Sequence, residues 1–234
     1  GYEVEAAGID IDREALALSR NAYPDLSVIM QDATADSWDV AGPFDCIFAV
    51  NVLHEVYSSA ALQKASHGAA SRLVRSVILH SHSLLEPGGY CFVFDGVEVA
   101  DRDSTVNVEP RNALGRELAL RFRSEYIPLG ASRRILETGA GFRMPAWVAL
   151  RLLTKIKWMG TSTWRQEREE TYQYFSEADF LETFRNTGFD EITMSPSISD
   201  RRWAQLYRVD PRDWTFDEHI LIQGRRAGSP AARL

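Results

Sequence analysis

The stretch Phe44 to Tyr57, FDCIFAVNVLHEVY, limits the possible folds more than any other. Cys46 to Val50 is a short, nearly continuous apolar run, the pattern of a strand covered on both faces in a parallel sheet. The character then changes to Asn51, His54, Glu55 and Tyr57. Open α/β sheets place their ligand groups just beyond the carboxyl ends of their strands, so chemistry is sought first at this change. A buried strand followed by an ordinary helix start, with Asn51 as a turn residue, explains the same letters.

The first hundred residues repeat that pattern. Tyr2–Asp12 reads as a strand, Asp12 as a helix cap, and Arg13–Ala22 as a helix with Leu16 on its inner face. Leu26–Met30 is a second strand, closing at Gln31-Asp32-Ala33. After the central strand, one long helix is expected over about 60–85, stopped by Glu86-Pro87-Gly88-Gly89, with Tyr90–Phe94 as the next buried strand. This alternation predicts parallel strands with crossover helices. Three strands end in an acid: Asp10, Asp32 and Asp95. Such carboxylates can accept hydrogen bonds from a ribose diol or an adenine amine. As helix caps or loop acids they would carry no such meaning.

Residues 97–175 break the alternation. Val97–Pro110 reads as a polar loop, Arg111–Tyr126 as a helix, and Trp147–Trp158 as a basic amphipathic helix. A helix of the last kind suits a membrane surface or a partner, and more often packs its apolar face on its own core. Gly160–Tyr174 mixes aromatic and charged residues as a lid over a pocket does. Beyond it, Ser176 and Asp179 form a capping box, Gly188 stops the helix, and Phe189–Met194 and Glu218–Gln223 are the final strands. With no helix between them they are expected to pair antiparallel at the sheet edge. Residues 224–234 read as a polar tail.

Charge separates the same regions. Residues 1–110 carry 6 basic and 17 acidic groups, −11; residues 111–165 carry 11 and 3, +8; residues 166–234 carry 9 and 13, −4. The basic block suits an anionic acceptor, or it pairs with the acidic regions around it. The total of −7 argues against long nucleic acid. No apolar run reaches the ~20 residues of a membrane helix, and the N-terminus lacks the features of a secretory signal. Cys46 and Cys91 read as small buried hydrophobes of a reducing compartment, and a cytoplasmic location is expected. His80 and His82 are two apart and make no metal pair on a helix. No metal site is expected.

Together these segments resemble the class I S-adenosylmethionine-dependent methyltransferases, bacterial members in particular. The carrying motifs are Gly8–Asp12, Gln31-Asp32-Ala33, Phe44-Asp45 through His54-Glu55, Leu84–Gly89 and the terminal helix-strand-strand block. The resemblance implies a Rossmann-like, doubly wound α/β fold. Its sheet would be mostly parallel with an antiparallel C-terminal edge strand, and a helical insertion would lie between the fifth and sixth strands. Residues 1–100 would form the cofactor-binding core, 101–175 the substrate or lid insertion, and 176–234 the rest of the core. The implied cofactor is S-adenosyl-L-methionine. Asp10 would take its ribose hydroxyls, with Ile11 beside the adenine; Asp32 would take the adenine amine and the Ala33 backbone the ring. Asn51 would face the methionine end. His54 and Glu55 are the expected catalytic pair, and Tyr57, Arg168 and Tyr172 the expected substrate contacts for a small-molecule acceptor. The family's first strand and glycine-rich loop would precede Gly1, so the chain is expected to be a truncated piece. A nicotinamide-dependent oxidoreductase, which also ends its second strand with an acid, and a non-catalytic module of the same fold are the competing readings.

Overall fold

The computed structural model describes residues 4–63, 66–196, 201–212, 214 and 216–228, apart from the side chains of Leu62 and Arg201. The first residues of the expected opening strand and the end of the expected tail lie outside these. In chain order the elements are β1 (Ala7–Asp10), α1 (Arg13–Ala22), β2 (Ser27–Met30), β3 (Phe44–Val50), α2 (Leu53–Leu62), α3 (His67–Leu84) and β4 (Leu85–Gly96). They continue with β5 (Thr105–Pro110), α4 (Ala113–Glu125), β6 (Leu136–Glu137), β7 (Phe142–Pro145), α5 (Ala146–Lys155), α6 (Trp164–Glu167) and α7 (Glu177–Thr187). The last are β8 (Phe189–Pro196), β9 (Tyr207–Asp210) and β10 (His219–Arg226).

Three sheets result among the described residues. β1 and β2 pair in parallel, Asp10 beside Met30. The second sheet runs β3-β4-β10-β8, with β3 parallel to β4 and β10 antiparallel to both its neighbours. α3 and α7 close one face of it, and Leu53, Val77, Ile78, Phe180, Phe184 and Ile222 belong to the core there. Among the described residues β3 bonds to β4 alone, and its Phe48 and Val50 are 67% and 58% exposed.

The caps follow the sequence. Asp12 accepts from the Glu14 and Ala15 amides to start α1. Ser176 and Asp179 make both bonds of the capping box on α7, and Gly188 ends that helix at φ +102°. That left-handed conformation is costly for a residue with a Cβ.

Several expectations are corrected. The two final strands do pair antiparallel, with β8 at the edge, but the last strand is not the edge strand: β10 lies between β4 and β8, where its fully buried Ile220 and Ile222 are covered. The expected long helix is two, α2 and α3, the second opened by Ser66 accepting from the Ala69 amide. Cys46 is exposed on β3, while Cys91 is buried.

The insertion is not purely helical. Its centre is a third, antiparallel sheet, β6-β7-β5-β9, and β9 comes from the connection after β8. The expected loop Val97–Pro110 contains β5, whose Val106 and Val108 alternate inward into a second core with Phe142, Met144 and Val209. All ten residues of α5 are buried, so its basic residues do not form a solvent face.

Candidate active site

Strand ends assemble the site. β1 and β2 are parallel neighbours, so Asp10 at the end of one and Asp32 just past the other emerge at the same edge. Asp10 Oδ1 accepts from the Asp12 amide at 2.8 Å. Asp32 Oδ1 accepts from the Thr34 amide and hydroxyl, both at 2.7 Å. The Oδ2 of each has no partner among the described residues. Ile11, next to Asp10, is 67% exposed. The Ala33 carbonyl accepts from the Trp38 indole at 3.0 Å, which pins the loop after β2.

β3 ends in a sharp turn. Asn51 takes φ +53°, a left-handed conformation that asparagine enters more readily than most residues, and its amide donates to the Phe94 carbonyl at 2.8 Å. That brings the start of α2 against the end of β4. Val52 gives α2 no side-chain cap. The cap comes instead from Asp95, whose Oδ2 accepts from the Leu53 and His54 amides at 2.8 and 3.2 Å. A carboxylate at a helix N-terminus is well placed against the partial positive charge there.

Asp95 Oδ1 accepts from His54 Nδ1 at 2.8 Å and from the Gly96 amide at 2.7 Å. The carboxylate is fully buried and His54 is 4% exposed. Because the carboxylate accepts, the proton of a neutral imidazole lies on Nδ1 and the lone pair on Nε2. Nε2 has no partner among the described residues.

Glu55 borders a cavity of about 230 Å³ lined also by Ser58, Ser59, Gln166, Glu169 and Glu170. Partial desolvation raises the Glu55 pKa above its ordinary 4.5. His54 opposes that rise, whereas Glu170, Asp10 and Asp95 add to it. Asp10, His54 and Asp95 therefore share one electrostatic neighbourhood with Glu55. His219, stacked on Phe94 at 5.1 Å, joins it. Its pKa is lowered first by burial, with Lys157 adding to that and Glu218 opposing.

The expected substrate contacts are placed differently from one another. Tyr57 is buried, its hydroxyl 2.7 Å from His67 Nδ1 and its ring stacked on Tyr174. Arg168 lies 4.0 Å from Glu169, beside the cavity lining. Tyr172 sits edge-to-face on the His54 ring, with centroids 4.3 Å apart. Sequence reasoning singled out Asp95 as a strand-end acid and did not tie it to His54. It also missed His219, Lys155 and Glu167. The recurrence of strand-end acids was the available signal for Asp95; no sequence signal marked the others.

Among the described residues no cluster of His, Cys, Asp or Glu has the makings of a metal site, and no helix is long and apolar enough to cross a membrane.

Solved structures similar to the chain include an S-adenosylmethionine-dependent methyltransferase from Mesorhizobium loti, 16% identical with a TM-score of 0.47, over 95% of this chain and 81% of that one. A second, from Methanosarcina mazei, is 11% identical with a TM-score of 0.45, over 95% and 82%. A third, the S-adenosylmethionine-dependent methyltransferase SibL in its apo form, is 14% identical with a TM-score of 0.45 over 94% of this chain, which spans 43% of its length. No protein-family model and no curated protein matches the chain.

Proposed function

We propose that this chain is the α/β part of an S-adenosylmethionine-dependent methyltransferase acting on a small-molecule acceptor, with His54 as its general base. The His54–Asp95 pair carries the reading. It is a buried imidazole, oriented by a buried carboxylate, with its second nitrogen unengaged at the carboxyl end of a sheet. General bases are recognised by such an arrangement.

The residues present fit the cofactor. Asp10 and Asp32 each keep one carboxylate oxygen unengaged, suited to the ribose diol and the adenine amine. Exposed Ile11 offers an apolar surface for the base, with the Ala33 backbone beyond it. Asn51 would face the methionine end. When bound, S-adenosyl-L-methionine supplies an electrophilic methyl group on sulfonium.

The protein's own work is to align the acceptor and take its proton. His54 Nε2 accepts the proton from an acceptor hydroxyl or amine. Asp95 holds Nδ1–H and offsets the charge that appears on the ring. Glu55 and the cavity beside it receive the acceptor, with Arg168 at the margin. Residues 1–100 and 176–234 carry the cofactor side and 101–175 the acceptor side. The carboxylates of Glu55, Glu169 and Glu170 around the cavity favour a neutral or amine-bearing acceptor over the anionic one that the basic middle block suggested.

Calorimetric titration with S-adenosylhomocysteine, and separately with NAD, tests the cofactor half. Binding of the first alone, lost in Asp10→Ala, is the expected outcome. Binding of NAD instead would move the chain to the oxidoreductases. Methyl transfer to a panel of small amines and phenols tests the base: His54→Ala is expected to lose roughly 10²- to 10⁴-fold in kcat, with cofactor binding unchanged. Full turnover by that variant would remove His54 from the mechanism.

A further inference from the structure

We infer that Tyr172 is a positioning residue for His54, so the segment after α6, together with the sheet, fixes where the base points. The inference rests on the reading of His54 as the base. Among the described residues one hydrogen bond, from Nδ1 to Asp95, tethers the imidazole at one corner and leaves it a hinge. The Tyr172 ring removes that freedom. It stands at 88° to the imidazole with ring centroids 4.3 Å apart, an edge-to-face contact.

Tyr172 is itself held at three points. Its hydroxyl donates to Glu167 Oε1 at 2.5 Å. Lys155 Nζ lies 3.8 Å from its ring centroid and 2.7 Å from Glu167 Oε2. Its backbone rests on Gly96, where a Cβ would come 2.2 Å from the Tyr172 carbonyl oxygen. Gly96 directly follows Asp95. The same few atoms of β4 therefore seat both the carboxylate that tethers His54 and the residue that braces it. Among the described residues, Glu55 on α2 and Asp10 at the end of β1 share these surroundings, as does His219 on β10, whose ring centroid is 6.5 Å from that of Tyr172. None of these has a hydrogen bond to the imidazole among the described residues. Lys155 over the ring face and Gly96 against the backbone thus hold the ring on the base even without its hydroxyl, and the insertion does more than cover the pocket.

The experiment compares the full chain carrying Tyr172→Leu or Tyr172→Phe, labelled with [15N]histidine and assigned with His54→Gln. Long-range 15N–1H spectra read which imidazole nitrogen carries the proton and how many states the ring visits. The wild type and Tyr172→Phe are expected to show one sharp His54 pattern with the proton on Nδ1. Tyr172→Leu is expected to lose it, through broadening or a second pattern. S-adenosylhomocysteine binding by calorimetry should stay within about twofold of wild type in both variants, because neither touches the Asp10 and Asp32 contacts. An unchanged His54 pattern in Tyr172→Leu overturns the inference. So does a change shared by the phenylalanine variant, which keeps the ring. Should the leucine variant not fold, Tyr172→Met, which fills irregular space, takes its place with the same expectation. These spectra do not depend on turnover. Absence of methyl transfer in the wild type would count against the proposed function while leaving the bracing of His54 decided.

Discussion

The two cores of this chain handle charge in opposite ways. The one on the β3-β4-β10-β8 sheet is built on apolar side chains such as Leu53, Val77, Phe180 and Ile222 and has its buried carboxylate, Asp95, at a strand end. The one on the β6-β7-β5-β9 sheet draws α5 inside, with Arg151 and Lys155 both 0% exposed. Arg151 bonds Glu98 at 2.9 Å, Thr171 at 2.8 Å and the Trp147 carbonyl at 2.6 Å, and it also reaches the Gln173 carbonyl. Lys155 bonds Glu167. Buried charges survive only when paired and fully hydrogen-bonded. Their partners here come from the two stretches that lead into and out of the third sheet. Charge is therefore buried at the seam, where it fixes one mutual arrangement, and is absent from the apolar centre of the first core.

The contrast is most easily broken at Glu167. Glu167→Ala leaves Lys155 buried and unpaired and is expected to cost ~3–5 kcal/mol in urea denaturation, while Lys155→Met with Glu167→Leu recovers most of that loss. A small loss from the single substitution would mean that the seam is wet and its charges are not held as described. Next in size, Ser176→Ala removes the capping box of α7 and is expected to cost ~1 kcal/mol. An unchanged midpoint would show that α7 is held by packing alone.

A smaller effect carries a pH signature. The raised Glu55 pKa means that the folded state keeps this proton to higher pH than the unfolded chain does. Stability therefore falls as pH rises above the ordinary 4.5 through the folded value. Glu55→Gln removes that decline, so its advantage over wild type in chemical denaturation should grow from pH 4 to pH 7. A constant difference would deny the partial desolvation of Glu55. The smallest effect is at the rim. Arg208 pairs with Glu109 at an exposed site of the third sheet, and Arg208→Ala should cost no more than ~1 kcal/mol. A loss as large as that of Glu167→Ala would erase the distinction between seam and surface.

What could be read from the letters divides along the same line. β2, β3 and α7 were legible because each is a dense apolar run or carries its own cap. β5, β7 and β9 were not. Each shows only two inward residues (Val106 and Val108, Phe142 and Met144, Tyr207 and Val209), too few to outweigh the polar residues between them. Their pairing is also not local: Asn107 meets Asp210. At the site, His54 and Glu55 stood out as polar residues after an apolar strand. The grip of Asp95 on His54 spans 41 residues and belongs to tertiary structure alone. The basic residues of α5 misled for a physical reason. A lysine or arginine on a helix ordinarily marks solvent, and only the arriving Glu98 and Glu167 make burial tolerable.

The place of β9 has a consequence for how the protein is made. β5 lies between β7 and β9 in its sheet, so one side of it goes unmatched until residues 207–210 have been synthesised. At a ribosomal pace of about 5–20 residues per second, that interval lasts roughly 5–20 seconds. During it the nascent chain offers a row of open amides and carbonyls to any neighbour, an edge that a chaperone could cover during translation.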